Sequence, residues 1–155
     1  IKCSLVGSEM CIRDRNIDMP KENKYPIPEG FEPIHQTEHH IRNIGEGFYR
    51  RDEEGNLIMA FWIKKENCNS ADVAHGGMLM SIADYSLASA SMPSRNKYVA
   101  TISFRSEFIA PAKIHSLAEV HTSITRATKS LVFGEGKIFC DGEIVFSFSG
   151  VVKKI

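Results

Sequence analysis

The chain has 155 residues, 43% hydrophobic and 25% charged, which is the composition of a soluble globular protein and the length of one domain. Nineteen Lys and Arg balance nineteen Asp and Glu, so no net field exists to draw nucleic acid or an anionic membrane, and neither is expected as a partner. No apolar run approaches the roughly 20 residues that span a bilayer, and no basic start leads into an apolar leader, so a cytoplasmic address is expected.

Residues 1–15 show no sustained period. Ser4 to Arg15 resembles translated adapter sequence, and the segment is expected to stand outside the fold as non-native or unstructured chain. Residues 16–40 read as an extended arm, because Pro20, Pro26, Pro28, Gly30 and Pro33 break any regular element. His35, His39 and His40 lack a carboxylate or thiolate at ligand spacing, so a solvated segment and no metal are expected there. Cys3, Cys11, Cys68 and Cys140 show no Cys-x-x-Cys pair and read as reduced thiols. From Ile41 to the C-terminus the chain reads as one domain. Residues 41–50 and 57–65 are strand-like runs joined through Asp52-Glu-Glu-Gly-Asn56. Trp62, the single tryptophan, is expected to pack in the core or an interface.

Asn69 to Met92 is the centre of the chain. From Met78 it reads as a helix with apolar or small residues on nearly all sides, closed by Pro93, and such a helix has to be buried all round. Asp84 is the one carboxylate within it, and a buried carboxylate is costly unless it is paired or has work to do. Upstream, His75-Gly76-Gly77 stands where the helix begins. Backbone N–H groups without helical partners attract negative charge there, and glycine admits a ligand to the backbone. Gly76 and Asp84 are eight residues apart, about 12 Å along a helix, and His75 and Asp84 fall on opposite faces. If both ends of the segment are catalytic, the simplest geometry is a dimer in which Gly76 of one chain faces Asp84 of the other.

Arg95 to Lys97 read as a loop. Over Tyr98 to Ile109, strict alternation puts Ala100, Ile102, Phe104, Ser106 and Phe108 on one side and Thr101, Ser103, Arg105 and Glu107 on the other. Runs 115–125 and 130–140 flank Arg126 to Lys129, and Asp141-Gly142 signals a hairpin into Ile144 to Val152. Gly134-Glu-Gly136 lacks the lysine and full glycine pattern of a phosphate loop and reads as a bulge or turn. Two strands, one long helix and four strands make an α+β domain with an antiparallel sheet around the helix.

The pattern Asn-x5-His-Gly-Gly-x6-Asp, here Asn69, His75, Gly76, Gly77 and Asp84, resembles the signature of hotdog-fold acyl-CoA thioesterases of the phenylacetic-acid-degradation (PaaI) type. The strand Thr101-Ile-Ser-Phe-Arg-Ser-Glu-Phe-Ile-Ala-Pro-Ala112 matches as well, with its early hydroxyl and late Pro-Ala. The resemblance implies the hotdog fold and hydrolysis of a small, medium or aryl acyl-CoA. Coenzyme A would enter as part of the substrate, with no separate cofactor, and the chain would be a homodimer able to pair into a tetramer. It implies that Gly76 N–H polarises the carbonyl and that Asp84 acts as general base or nucleophile. Asn69 would orient the water or the carbonyl, and Thr101 would hold the water or Asp84. His75 either bonds near the thioester or braces the loop. Gly77 and the cations Arg126 and Lys129, with Arg95 and Lys97, are the candidates to contact coenzyme A, a solvated surface being the alternative for the cations. One departure is Asp72, where the family often has Gly. Neither a Gly-x-Ser-x-Gly elbow nor a cysteine beside a histidine offers another nucleophile. The dehydratase reading lacks an Asp-x4-His pair, and a hotdog domain that binds an acyl ligand without turnover remains the other class.

Overall fold

The computed structural model describes residues 24–35, 38–92 and 98–155; the first 23 residues, Pro93, Arg95 and Lys97 lie outside the described residues. One antiparallel sheet carries strands β1 (Glu32–Pro33), β2 (Gly47–Arg51), β3 (Leu57–Trp62), β4 (Val99–Phe108), β5 (Leu117–Ala127), β6 (Leu131–Cys140) and β7 (Glu143–Lys154). Their order is β1-β2-β3-β5-β6-β7-β4. The helix α2 (Gly76–Ser91) touches β3 through β7, so the sheet wraps it, and a short helix α1 (His39–Ile44) packs against α2. This is the hotdog architecture. No helix among the described residues is long and apolar enough to cross a membrane.

The sheet fits the helix through two glycines. Gly134 on β6 pairs with Gly150 on β7, and Leu87 of α2 is seated over the pair. A Cβ on Gly134 would come within 2.6 Å of Leu87 Cδ1, and one on Gly150 within 2.7 Å of Leu87 Cδ2. Gly134 and Gly136 therefore lie inside a continuous strand rather than in a turn. The irregularity is in the neighbouring strand, where the register shifts between Ile124 and Arg126 of β5. Below the glycine pair, the fully buried Ser86 hydroxyl meets Thr122 Oγ1 at 2.8 Å, so that two hydroxyls whose burial would otherwise be costly satisfy each other.

Three other expectations are corrected. The run from Ile41 is not a strand at its start. Ile41 and Ile44 are one helical turn apart, both buried, and anchor α1 on the core, leaving β2 to begin at Gly47. Strict alternation in β4 fails at Ile102, an extra residue between the pairs Thr101–Val152 and Ser103–Val151. The bulge re-phases the strand, so Thr101 faces α2 together with Phe104 and Phe108 instead of opposing them. Finally, α2 is not enclosed on every side within one chain. Met78, Leu79, Ile82, Ala83, Ser86 and Leu87 are buried, but Met80 is 42% exposed and Asp84 half-buried. β4 bounds this open stripe as an edge strand carrying exposed Ile102 and Phe108, with exposed Tyr98 and Ile109 at its two ends.

The Asp141-Gly142 hairpin forms as expected, both residues having positive φ, 51° and 81°. The described part of the arm is fastened down: Trp62 Nε1 donates to Pro26 O at 2.8 Å, and Tyr25 Oη meets His115 Nδ1 at 2.8 Å.

Candidate active site

The loop into α2 is built by backbone pairing. Ala74 N–H donates to Ala112 O, Val73 bridges Lys113, and His75 N–H donates to Asn67 O. Asn67 is buried and bonded at both ends of its amide, its Oδ1 accepting from Lys64 N–H and its Nδ2 donating to Ile44 O. It ties the end of α1 to the start of α2, a task that sequence spacing did not single out. Asn69, the motif residue, is exposed and turns its side chain to Ala71 N–H at 2.9 Å, an Asx turn that shapes the loop. Asp72 has φ 57°, a left-handed backbone that glycine adopts freely and Asp tolerates. That conformation accounts for the family's glycine, and Asp72 adds an ion pair with Lys65, which holds the lysine's pKa above its ordinary value.

His75 is the N-cap of α2. Its Nδ1 accepts from Gly77 N–H at 3.0 Å, satisfying one of the N–H groups that a helix start leaves unpaired and placing the ring proton on Nε2. The histidine therefore braces the turn. Gly76 is the first helical residue, and its neighbour is Phe108: a Cβ on Gly76 would lie 2.8 Å from the ring's Cε1 and 3.0 Å from its Cζ. A side chain here would have to displace the ring, and Phe108 is a site residue that the motif did not reveal.

Two turns along α2, the Thr101 hydroxyl donates to Asp84 Oδ1 at 2.6 Å, the short distance expected of a hydroxyl on a carboxylate. The bulge at Ile102 makes this contact available. The structure therefore joins two pairs, Gly76 with Phe108 and Asp84 with Thr101, and keeps the pairs apart at opposite ends of β4. Arg126 and Lys129 are exposed. The pairing series Thr101–Val152, Val152–Val132 and Val132–Ala127 places them at the Thr101 end of the sheet, three strands in from the edge.

On the other flank of α2, Ser81 Oγ donates to Gly77 O at 2.8 Å, so His40 Nε2 of α1 donates to Ser81 Oγ across 2.9 Å. With its proton on a carbonyl, this serine is no poised nucleophile. The pair borders a cavity of about 360 Å³ that also meets His75, Glu66 and Asn67. A larger groove, about 570 Å³, lies on the outer face of the sheet, away from Asp84, among Arg105, Glu107, His121, Glu135 and Lys137. Burial holds the His121 imidazole below its ordinary pKa, against an upward pull from Glu119. Burial pushes the Cys140 thiol up to about 12 and raises Cys68 too, so neither offers a thiolate near neutral pH. No group of three or more metal-ligating side chains comes together among the described residues.

Known proteins resemble the chain in sequence and in fold. The family model "Thioesterase superfamily" matches residues 71–146, which include both pairs. The Pseudomonas aeruginosa protein called "Putative esterase PA0474" is 31% identical over 127 residues, covering 81% of this chain and 95% of that protein. Among solved structures, the PaaI protein from the phenylacetic acid degradation operon of E. coli superposes with a TM-score of 0.69 at 18% identity, covering 77% of this chain and 86% of that one. The BH2602 protein from Bacillus halodurans, solved with CoA, gives 0.62 at 18% identity, covering 69% and 72%. At such identities the structures speak for the fold, while the P. aeruginosa relative carries the family across nearly its full length: the chain belongs to the thioesterase superfamily.

Proposed function

We propose that the protein is an acyl-CoA thioesterase that hydrolyses a small, medium or aryl acyl-CoA to the free acid and coenzyme A. The observation that carries this reading is the Thr101 hydroxyl on Asp84, a half-buried carboxylate on a helix with no other acidic residue. Thr101 holds Oδ1 and leaves Oδ2 to take a proton from water as that water adds to the thioester carbon. Gly76 N–H, at the positive end of α2, stabilises the oxyanion so formed. Collapse breaks the C–S bond, the departing thiolate takes the proton held by Asp84, and no cofactor is needed.

One carbonyl cannot sit on Gly76 and beside Asp84 of the same helix, about 12 Å away. The edge strand supplies the geometry for a shared site. Thr101 and Phe108 lie about 20 Å apart along β4. Antiparallel pairing of two β4 edges about a two-fold axis near Phe104 and Arg105 brings the Thr101 end of each chain to the Phe108 end of the other. Each Asp84 then faces the partner's Gly76. The same pairing turns Met80 and the exposed apolar residues of the edge, which one chain leaves to water, toward the shared cleft. BH2602, solved with CoA, supports the substrate class, and a cytoplasmic location is in keeping with that substrate.

Replacing Asp84 by Asn keeps size and much of the hydrogen bonding but removes the base. Turnover, followed by thiol release, is expected to fall by about 10² to 10⁴ with an unchanged denaturant midpoint. A variant within threefold of the parent would remove Asp84 from the mechanism and favour a domain that binds acyl groups without turnover.

A further inference from the structure

We propose that Phe108 is a specificity-determining residue of this site: its ring is the wall against which the acyl group lies while Gly76 N–H holds the thioester oxygen. This rests on the thioesterase reading and adds to it which surface selects the substrate. The ring is pressed on the α carbon of Gly76, so closely that a Cβ there would stand 2.8 Å from Cε1. A group bonded to a carbonyl at Gly76 N–H therefore leaves along the ring. The ring is also held from behind. It meets the fully buried Phe146 edge to face, with centroids 5.0 Å apart and planes at 70°.

Its other side is open, for Phe108 is 58% exposed although it belongs to a strand and touches the core. Exposed Ile109 follows it, and Met80, exposed in turn, lies one helical turn from Gly76 and one turn before Asp84. The surface beside the oxyanion donor is thus apolar and aromatic, suited to an acyl group without charge. A fixed ring sets its size, because buried apolar contact discriminates by about 10-fold to 200-fold for each methylene gained or lost.

The test is a selectivity ratio, which a merely structural ring would leave alone. We would measure kcat/KM for acetyl-, butyryl-, octanoyl- and phenylacetyl-CoA in the parent, Phe108→Ala and Phe108→Leu, the leucine variant serving if alanine unfolds the sheet end. The ratio of phenylacetyl to acetyl is expected to move at least about tenfold in Phe108→Ala and less in Phe108→Leu. A uniform loss, with every ratio within twofold of the parent, would overturn the proposal. Non-hydrolysable thioether analogues of the same acyl-CoA series, bound to parent and variants in a calorimeter, give the same ratio without turnover. The wall is thereby tested even if the parent hydrolyses none of the series, an outcome that would sink the thioesterase reading alone. Conversely, loss of turnover in Asp84→Asn beside unchanged ratios in Phe108→Ala would keep that reading and discard the wall.

Discussion

The two sides of α2 use the same device for different ends. On the buried side, Gly134 and Gly150 admit the methyls of Leu87, which is wholly enclosed. On the open side, Gly76 admits the ring of Phe108, which stays largely in water. In both places a missing Cβ permits close approach of an apolar side chain. What differs is what stands behind the contact. Leu87 has the packed sheet around it on every side, whereas Phe108 is backed by Phe146 and open on its other side, so one contact sets the distance between helix and sheet and the other leaves room for a ligand.

The strongest way to break the comparison is to ask whether the open side is completed by a second chain. Gly76→Pro removes the N–H at a position where proline suits a helix start, and the extended His75 before it, ψ 136°, accepts a proline. Asp84→Ala removes the carboxylate. Each variant alone is expected to be inactive, and an equimolar mixture refolded together should regain about a quarter of parental turnover, because half the dimers are hybrids with one intact site. An inactive mixture containing proven heterodimers would end the shared-site idea.

Next in size is Gly134→Ala. The new methyl would meet Leu87 Cδ1 at 2.6 Å and the backbone oxygen of Ser123 at 3.0 Å, so a loss of about 1 to 3 kcal/mol is expected in urea titration. Turnover per folded molecule should persist. Gly76→Ala sharpens the contrast. Its methyl meets only the outer atoms of an exposed ring and gains helix propensity, so stability should stay within about 1 kcal/mol while acyl preference shifts with the displaced ring. Equal destabilisation at the two glycines would show that Phe108 is held as firmly as Leu87.

The smallest effect lies far from α2. The folded state holds the His121 pKa below its unfolded value, with burial the main cause, so the unfolded chain binds the extra proton first as pH falls. The contribution is complete above the ordinary imidazole value of about 6.5 and is lost as pH drops below it. Denaturant midpoints at pH 7.5 and 5 should differ less in His121→Gln than in the parent. An identical slope would mean that Glu119 offsets the burial.

Much of this was legible in the residues. A long apolar helix with one carboxylate, glycines at its start and an Asp-Gly turn each has a local physical signature, and each lies where that signature pointed. Three things were not legible. α1 is six residues long with only Ile41 and Ile44 to mark its face, too short a stretch to separate a helical period from an alternating one. The phase of β4 depended on Ile102, whose extra residue is visible only against the hydrogen-bonded partner strand. The Gly76–Phe108 contact was hidden for a related reason, since it joins residues 32 positions apart that no local period connects.

That bulge also bears on how the chain tolerates changes in length. Deleting Ile102 would set Thr101 next to Ser103 and join the pairs Thr101–Val152 and Ser103–Val151 into strict alternation, with Thr101 still on the Val152 face that looks on α2. The hydroxyl would keep its place on Asp84. A one-residue deletion at this exposed edge thus removes the bulge without touching the donor, whereas deleting Ser103 as well would set Thr101 next to Phe104, turn it to the other face of the sheet and strip Asp84 of its hydroxyl.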